Sequence, residues 1–176
     1  KGVFSFDDIA ILDREFDRIV VQLQASGEYI NARWGSELTQ HIEDADSEII
    51  HTHHVQSYSS VMLNLIQHEK LLDLVEALMG PDIILHHTKL FFKPQKKGSA
   101  FPLHQDWSYF PTKNNSMIAA VVHVSDSTKN MGRFRLIPVS HKLGKIENSD
   151  GHTHVPEIHN RFSLESAQPV KKEAGD

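Results

Sequence analysis

Cysteine is absent from this chain of 176 residues, which excludes disulfides, thiolate nucleophiles and zinc sites with cysteine ligands. No run of about 18 apolar residues occurs, so the sequence predicts no membrane span. The first residues also lack the apolar segment of a secretion signal. We therefore expect an intracellular protein, and the absence of cysteine favours the reducing cytoplasm.

Positive charge is scarce, because 18 Lys and Arg residues stand against 23 Asp and Glu residues, for a formal net charge of -5. The basic residues are scattered rather than clustered, so no nucleic-acid partner is expected. Hydrophobic residues make up 39% of the composition, which at this length is enough for one domain with a core.

Histidine is abundant, with 13 residues, and several of them fall in two polar stretches, His51–His54 and His152–His159. Such histidines are usually solvated loop residues. The alternative is a zinc-dependent hydrolase whose ligands come from His51–His54 or from His86 and His87. The flanking sequence offers no arrangement for activating a water molecule, so we prefer the first interpretation.

Apolar spacing predicts two helices in the N-terminal half. The first covers about 25 residues, is capped by an aspartate at 7–8 and closes at Gly27. The second is capped by a serine at 59–60 and ends at Gly80. The polar sequence between them, 28–58, predicts loops with short elements.

Three segments rich in β-formers follow, at 83–93, 117–124 and 134–137. The tail, 148–176, is polar and predicts a long loop or lid. Helices followed by short strands are typical of an α+β domain whose core is an antiparallel sandwich or barrel.

One candidate metal motif is the His104-x-Asp106 pair. If both residues lie on a strand, their side chains point to the same face and can chelate one ion. A second histidine would complete a facial triad and leave positions open for a bidentate co-substrate and dioxygen. The spacing alone also occurs by chance, as in His41-Ile42-Glu43, and by itself favours a surface or capping pair.

The order of several sequence blocks makes the motif more specific. From about Ser59 to Lys145 the chain resembles the phytanoyl-CoA dioxygenase family of Fe(II)/2-oxoglutarate oxygenases. The blocks that carry the resemblance are Leu78–Ile83, His87–Pro94, Pro102–Pro111, Asn130–Gly132 and Ile137–Gly144.

The resemblance implies a double-stranded β-helix, the jelly-roll or cupin-like fold, with N-terminal helices packed on one side. We expect a single oxygenase domain over 1–176, divided into a helical part (1–80), jelly-roll strands with the metal motif (81–147) and a loop or lid (148–176). The last strands of the sheet would then lie beyond residue 176.

The resemblance also implies roles for individual residues. His104 and Asp106 would be the first two Fe(II) ligands. Lys93 would lie near 2-oxoglutarate, or else be an ordinary lysine at a strand end. The aromatic residues of the motif would line the substrate approach, or else belong to the core or an interface: Trp107, Tyr109 and Phe110.

The activity implied is hydroxylation of a C–H bond in a small or lipid-like molecule, with Fe(II), 2-oxoglutarate and O2 as cofactor and co-substrates. Some family members are peroxisomal, so that compartment stays open although no Ser-Lys-Leu ending is present. The sequence does not fix the oligomeric state.

Three departures from the family's pattern favour an alternative, a degenerate jelly-roll domain that binds a partner or a metal without turnover. Val139 stands where the family usually has glycine, and a valine does not readily adopt a positive φ. Arg133 stands where a small residue or cysteine is usual. The distal histidine and the 2-oxoglutarate arginine are expected after the Gly-Asp turn at 175–176. Three histidines could replace that ligand: His123, His141, which resembles a turn residue, and His154.

Overall fold

The computed structural model describes residues 2–27, 30–31, 50–95, 98, 103–110, 112–114, 116–146 and 161–176. Four helices are α1 (Phe6–Ser26), α2 (Ser60–Ile66), α3 (Glu69–Met79) and α4 (Asp106–Tyr109). Five strands are β1 (Ile30–Asn31), β2 (Ile50–His53), β3 (Lys89–Phe92), β4 (Arg135–Leu136) and β5 (Gln168–Pro169). The described part is therefore mixed helix and strand with two small sheets, and it does not by itself establish a double-stranded β-helix.

Helix α1 begins and ends through local interactions. Ser5 is the N-cap: its side chain accepts a hydrogen bond from the Asp8 amide, and the Asp8 carboxylate accepts one from the Ser5 amide. The predicted cap at 7–8 was therefore wrong by two or more residues, because Asp8 occupies the N3 position of a capping box. Gly27 closes the helix with φ 69°, as predicted.

The predicted second helix is two helices. Ser59 caps α2 by accepting a hydrogen bond from the Met62 amide, and Gly80 ends α3 with φ 90°, so both predicted ends are confirmed. The chain turns between them, where His68 adopts an extended conformation and starts α3. A continuous apolar stripe does not reveal such a break, because the apolar positions in the sequence continue from α2 into α3.

The first sheet has the order β1-β2-β3 and is antiparallel throughout. In its register His51 lies opposite Phe91 and His53 lies opposite Lys89. The predicted strand 83–93 narrows to β3, because β2 pairs only with Lys89–Phe92. The predicted strand 117–124 is not assigned as a strand in the described structure.

The second sheet pairs β4 with β5, and an isolated bridge joins Ser127 to Lys172. Strand β4 confirms part of the predicted strand 134–137. Within the loop or lid predicted for 148–176, Gln168–Pro169 pairs with β4, and Phe162 and Ala167 are buried. Residues 147–160, including three of the histidines considered above (His152, His154 and His159), lie outside the described residues.

The predicted turn at 175–176 is present and joins two distant segments. The Gly175 carbonyl accepts hydrogen bonds from the amides of Val3 (3.0 Å) and Phe4 (3.2 Å). The Gly175 amide donates to the His123 carbonyl at 2.9 Å, and the His123 amide donates to the Asp176 carbonyl at 3.1 Å. A side chain at Gly175, which has φ 90°, would meet the Phe4 carbonyl oxygen at 3.0 Å.

The core lies where α1 packs across one side of the first sheet. Its buried members are Leu12, Ile19, Val20, Val55, Met62 and Leu90. Phe16 of α1 meets Phe92 of β3 edge-to-face, with 6.1 Å between ring centroids. Because Leu90 and Phe92 point towards α1, the alternate residues of β3 face away from this core. None of the described helices combines the length and apolar character needed to cross a membrane.

Candidate active site

The His104–Asp106 pair lies at the start of a helix and not on a strand. Asp106 is the first residue of α4, and Gln105 before it is extended, with φ -120° and ψ 122°. The extended Gln105 still brings the two side chains together, with His104 Nε2 3.2 Å from Asp106 Oδ1. The two side chains keep 29% and 41% of their surface exposed, so an ion could reach them.

The donor set fits a divalent metal. Bonds of about 2.0–2.2 Å to two ligands at a right angle place the donor atoms about 3 Å apart, close to the separation seen here. The hydrogen bond from His104 lowers the pKa of Asp106 against the opposing effect of burial, so the carboxylate is ionised at neutral pH. Within the described ranges no group of three or more His, Cys, Asp or Glu side chains is placed so that it could hold one metal ion. A third protein ligand for this site is therefore not identified among the described residues.

Gln105 anchors the loop that carries the pair. Its side-chain amide donates to the Gly144 carbonyl and accepts from the Ile146 amide, both at 2.8 Å. These bonds tie the loop to the segment that follows the helical turn Ser140–Leu143. Gln105 therefore holds His104 and Asp106 in place from the side opposite to their side chains.

A second group of ionisable side chains lies on the first sheet. The register of β2 and β3 places His51 and His53 on the same face as Lys89 and Phe91. His87, two residues before Lys89, extends the group, and its ring centroid lies 5.7 Å from that of His53. We call His51, His53, His87 and Lys89 the histidine–lysine face.

Burial is the first cause of every pKa shift on the histidine–lysine face. It lowers the pKa of His51 to about 4, and it lowers the pKa values of His53 and His87. The positive charge of Lys89 lowers all three further. Burial also lowers the pKa of Lys89, while the Asp106 carboxylate opposes that shift.

Two of the three aromatic residues predicted to line the substrate approach connect these groups. The Phe110 ring lies 5.1 Å from that of His86 and 5.0 Å from that of His87. The Tyr109 ring meets His104 edge-on at 5.9 Å. The metal pair and the histidine–lysine face are therefore neighbours, and the charges of both His87 and Lys89 act on Asp106.

The third aromatic residue, Trp107, is half-buried. Its indole Nε1 is buried and has no hydrogen-bond partner among the described residues. Lys93 lies elsewhere, because its Nζ would be 3.3 Å from a Cβ added at Gly132. In the described part of the chain the charged groups acting on Asp106 are His104, His87 and Lys89, so the structure brings Lys89 to the pair and does not bring Lys93 there.

Sequence reasoning missed Lys89, Gln105 and the joining of His51–His54 to His87. The available signal was alternation, since His51-x-His53 and His87-x-Lys89-x-Phe91 each place their members on one face of a strand. Of the proposed replacement ligands, His123 is half-buried at the 175–176 turn. His141 lies exposed in the Ser140–Leu143 turn, in agreement with its expected place in a turn.

A profile of the phytanoyl-CoA dioxygenase (PhyH) family matches residues 1–176. The chain belongs to this family. Curated relatives with significant matches include several dioxygenases, and no solved structure shows a significant match.

Three curated relatives illustrate the range of sequence identity and coverage. A probable alpha-ketoglutarate-dependent hypophosphite dioxygenase of Stutzerimonas stutzeri is 32% identical over 89 residues, which cover 51% of this chain and 30% of the relative. The peroxisomal phytanoyl-CoA dioxygenase of Bos taurus is 39% identical over 85 residues, 46% of this chain and 25% of the relative. The ectoine dioxygenase of Sphingopyxis alaskensis is 24% identical over 146 residues, 81% of this chain and 45% of the relative. The chain thus spans less than half the length of these relatives.

The structure shows how the chain accommodates Val139 and Arg133, the two residues that depart from the family's pattern. Val139 adopts φ 67° and ψ 0°, the left-handed conformation that glycine takes without strain. The chain therefore keeps a left-handed residue at this position, although valine does not readily adopt a positive φ. Arg133 is half-buried and lines a cavity of about 740 Å³ together with Phe4, Asp126 and Lys172.

Proposed function

We propose that the protein containing this chain is an Fe(II)- and 2-oxoglutarate-dependent dioxygenase that hydroxylates a C–H bond of a small or lipid-like molecule. The observation that carries the proposal is the His104–Asp106 pair, two donor atoms 3.2 Å apart with an ionised carboxylate. Membership of the phytanoyl-CoA dioxygenase family supports the same chemistry.

His104 Nε2 and Asp106 Oδ1 would hold the iron. When bound, Fe(II) supplies the chemistry that couples decarboxylation of 2-oxoglutarate to oxidation of the substrate by O2. Gln105 fixes the angle of the ligand loop through its bonds to Gly144 and Ile146. Tyr109 packs against the ligand ring itself and thereby limits its rotation.

The substrate approach is proposed along Phe110 and Trp107, on the side where Phe110 meets His86 and His87. Apolar rings beside the ligand pair would keep bulk water from the reacting atoms. The relatives are named for hypophosphite, phytanoyl-CoA, ectoine and L-proline, which supports a small-molecule substrate but does not choose among these classes. Lys93, which directly follows β3, is proposed as a 2-oxoglutarate contact on the family resemblance alone.

The second candidate is a binding domain without turnover. It is favoured by the strained Val139 and by the lack of a third ligand among the residues that the structure describes. For location we propose the cytoplasm, with the peroxisome as the alternative because a bovine relative is named as peroxisomal.

The test is anaerobic calorimetric titration of 2-oxoglutarate into the full-length protein loaded with Fe(II). We expect binding in the wild type, loss of binding in His104→Ala and in Asp106→Ala, and retention in the control Asp82→Ala, which removes an exposed carboxylate outside the site. Absence of Fe(II)-dependent binding in the wild type would refute the oxygenase and leave the binding domain.

A further inference from the structure

The cavity of about 740 Å³ that Arg133 lines is formed by three segments of the chain. Its described walls come from 2–9, at the start of α1, from 126–133, before β4, and from 171–176. A volume of this size is typical of clefts that hold small molecules. Neither His104 nor Asp106 is among the described lining residues, so the cavity is separate from the candidate active site.

Cationic side chains outnumber acidic ones in this cavity, although the whole chain has a formal net charge of -5. Among the described lining residues, four cations stand against three carboxylates, which gives a net charge of +1. The cations are Lys129, Arg133, Lys171 and Lys172, and the acids are Asp126, Glu173 and Asp176. The lining therefore favours a negatively charged ligand.

Two of the three carboxylates hold the cavity walls together. The Ala174 amide donates a hydrogen bond to Asp126 Oδ1 at 3.0 Å. The Gly2 amide donates one to Asp176 Oδ1, also at 3.0 Å. Both carboxylates are thus committed to backbone N–H groups, and together they tie the three segments to one another.

Three of the four cations have no acidic partner. Lys171 Nζ lies 3.5 Å from Glu173 Oε1, whereas Lys129, Arg133 and Lys172 form no ion pair with any described residue. Arg133 is also half-buried, so its charge is partly removed from water without compensation from a carboxylate. A guanidinium group presents a fork of N–H donors that matches the oxygens of a phosphate or carboxylate group. Arg133 is therefore the group that an anion would stabilise most.

The wall formed by 2–9 contributes an apolar patch. Phe4, Phe6 and Ile9 lie on it, and Phe6 leaves 96% of its surface exposed. A ring this exposed is available for contact with the apolar part of a ligand. The cavity thus combines unpaired cations with an exposed aromatic ring.

We propose that this cavity binds a small molecule that carries a phosphate group on an apolar body. Arg133 is its main contact, Lys129 and Lys172 supply further donors, and Phe6 packs against the apolar part. A phosphate group suits three cations better than a carboxylate does, because it carries nearly two charges and three acceptor oxygens.

The site is a feature of this chain rather than of the family, because Arg133 stands where the family usually has a small residue or cysteine. The inference goes beyond the proposed function and does not depend on it.

The first experiment titrates phenyl phosphate and inorganic phosphate into the full-length protein by calorimetry, and we expect phenyl phosphate to bind more tightly. Arg133→Met should lower the affinity for both about 10- to 100-fold, the effect of losing a charge-assisted hydrogen bond. Phe6→Ala should lower the affinity for phenyl phosphate alone, about 3- to 10-fold. The matched control Arg14→Met removes the same charge from an exposed position of α1 outside the cavity and should change neither affinity.

Thermal unfolding shows whether each variant folds and provides a second readout of binding. Phenyl phosphate at ten times its Kd should raise the melting temperature of the wild type by about 2–5 °C, and the same concentration should raise that of Arg133→Met much less. If Arg133→Met does not fold, Lys172→Met replaces it and should weaken both ligands in the same direction. Adenosine monophosphate and hexyl phosphate then identify the apolar body: tighter binding of the first assigns an aromatic base, and tighter binding of the second an alkyl chain.

A last arm separates this site from the candidate active site. With Fe(II) and without oxygen, neither 2-oxoglutarate nor His104→Ala should change the affinity for phenyl phosphate. Binding that depends on Arg133 in a protein that binds no 2-oxoglutarate would support this inference while refuting the proposed function. Competition between phenyl phosphate and 2-oxoglutarate would overturn the inference. Equal binding of phenyl phosphate by wild type, Arg133→Met and Lys172→Met, or no binding by the wild type, would do the same.

Discussion

Val139 offers the sharpest test of the local backbone. It is a β-branched residue at φ 67° in a tight turn. Two hydrogen bonds hold this turn: the Ser140 amide donates to the Ile137 carbonyl at 3.2 Å, and the Lys142 amide donates to the Val139 carbonyl at 3.0 Å. Left-handed backbone costs an L-residue about 1–2 kcal/mol, and branching at Cβ adds to that cost. Val139→Gly removes the strain and keeps the turn.

The magnitude follows from three contributions. Relief of strain contributes about 2 kcal/mol. The greater freedom of glycine in the unfolded chain costs about 0.5–1 kcal/mol. Loss of the side chain costs little, because 58% of Val139 is already exposed. We expect Val139→Gly to raise the free energy of unfolding by about 1 kcal/mol, or the melting temperature by about 2–4 °C for a domain of this size.

The assay is urea denaturation of the full-length protein, with Val121→Gly as the matched control. Val121 is 56% exposed, similar to Val139, but its φ is not positive. The control should therefore lose about 0.5–1 kcal/mol from glycine's entropy alone. If Val139→Gly lost stability by as much as Val121→Gly, the strain argument would be refuted.

Three further predictions concern stability and the site. Glu15→Gln should cost about 1–2 kcal/mol, because the hydrogen bond from Arg18, reinforced by one from Ser59, lowers the pKa of Glu15 to about 2. The difference in free energy of unfolding between the wild type and Glu15→Gln should be largest above about pH 4.5 and should shrink as the pH falls towards 2. Urea titrations at several pH values would show this. Gln105→Ala should weaken Mn(II) binding by calorimetry about tenfold, since the ligand loop loses both of its anchoring bonds. Leu90→Ala should cost about 2–5 kcal/mol in the same denaturation assay, because Leu90 is buried in the core.

Each of these has an outcome that would contradict it. For Glu15, the difference in free energy of unfolding between the wild type and Glu15→Gln is the quantity to follow. If it stayed constant down to pH 3, the carboxylate would not be held ionised in the folded protein. For Gln105, a loss of thermal stability without any change in metal affinity would assign it a purely structural role. For Leu90, a cost below about 1 kcal/mol would mean that α1 does not pack on β3 as described.

Helix α1 could be predicted from the sequence because its determinants are local. The apolar spacing and Gly27 fixed its extent, and only the cap was misplaced. The Ser5–Asp8 capping box is itself a sequence signature, so this error concerned recognition and not missing information.

The strands were harder to predict, because pairing joins residues that are distant in sequence. The segment 83–93 reads as one strand, yet only Lys89–Phe92 lies opposite β2. Strand β2 itself lies in a polar stretch, and its histidines gave no apolar alternation. In the tail at 161–176, Gln168–Pro169 likewise pairs with the distant strand β4, and no sequence pattern within the tail predicts this pairing.

The candidate site divides in the same way. His104 and Asp106 could be paired from their spacing, since any extended Gln105 brings them together, whether or not a strand follows. The histidine–lysine face could not, because it depends on the register that sets His53 opposite Lys89. Lys93 was proposed from a resemblance, whereas the lysine whose charge acts on Asp106 is Lys89.

The central claim is that His104 and Asp106 hold iron for an oxygenase reaction, and the most direct measurement is succinate formation. The full-length protein would be loaded with Fe(II) without oxygen and then given 2-oxoglutarate and O2. We predict succinate from the wild type, and none above background from His104→Ala or Asp106→Ala. Undiminished succinate formation in either variant would contradict the account.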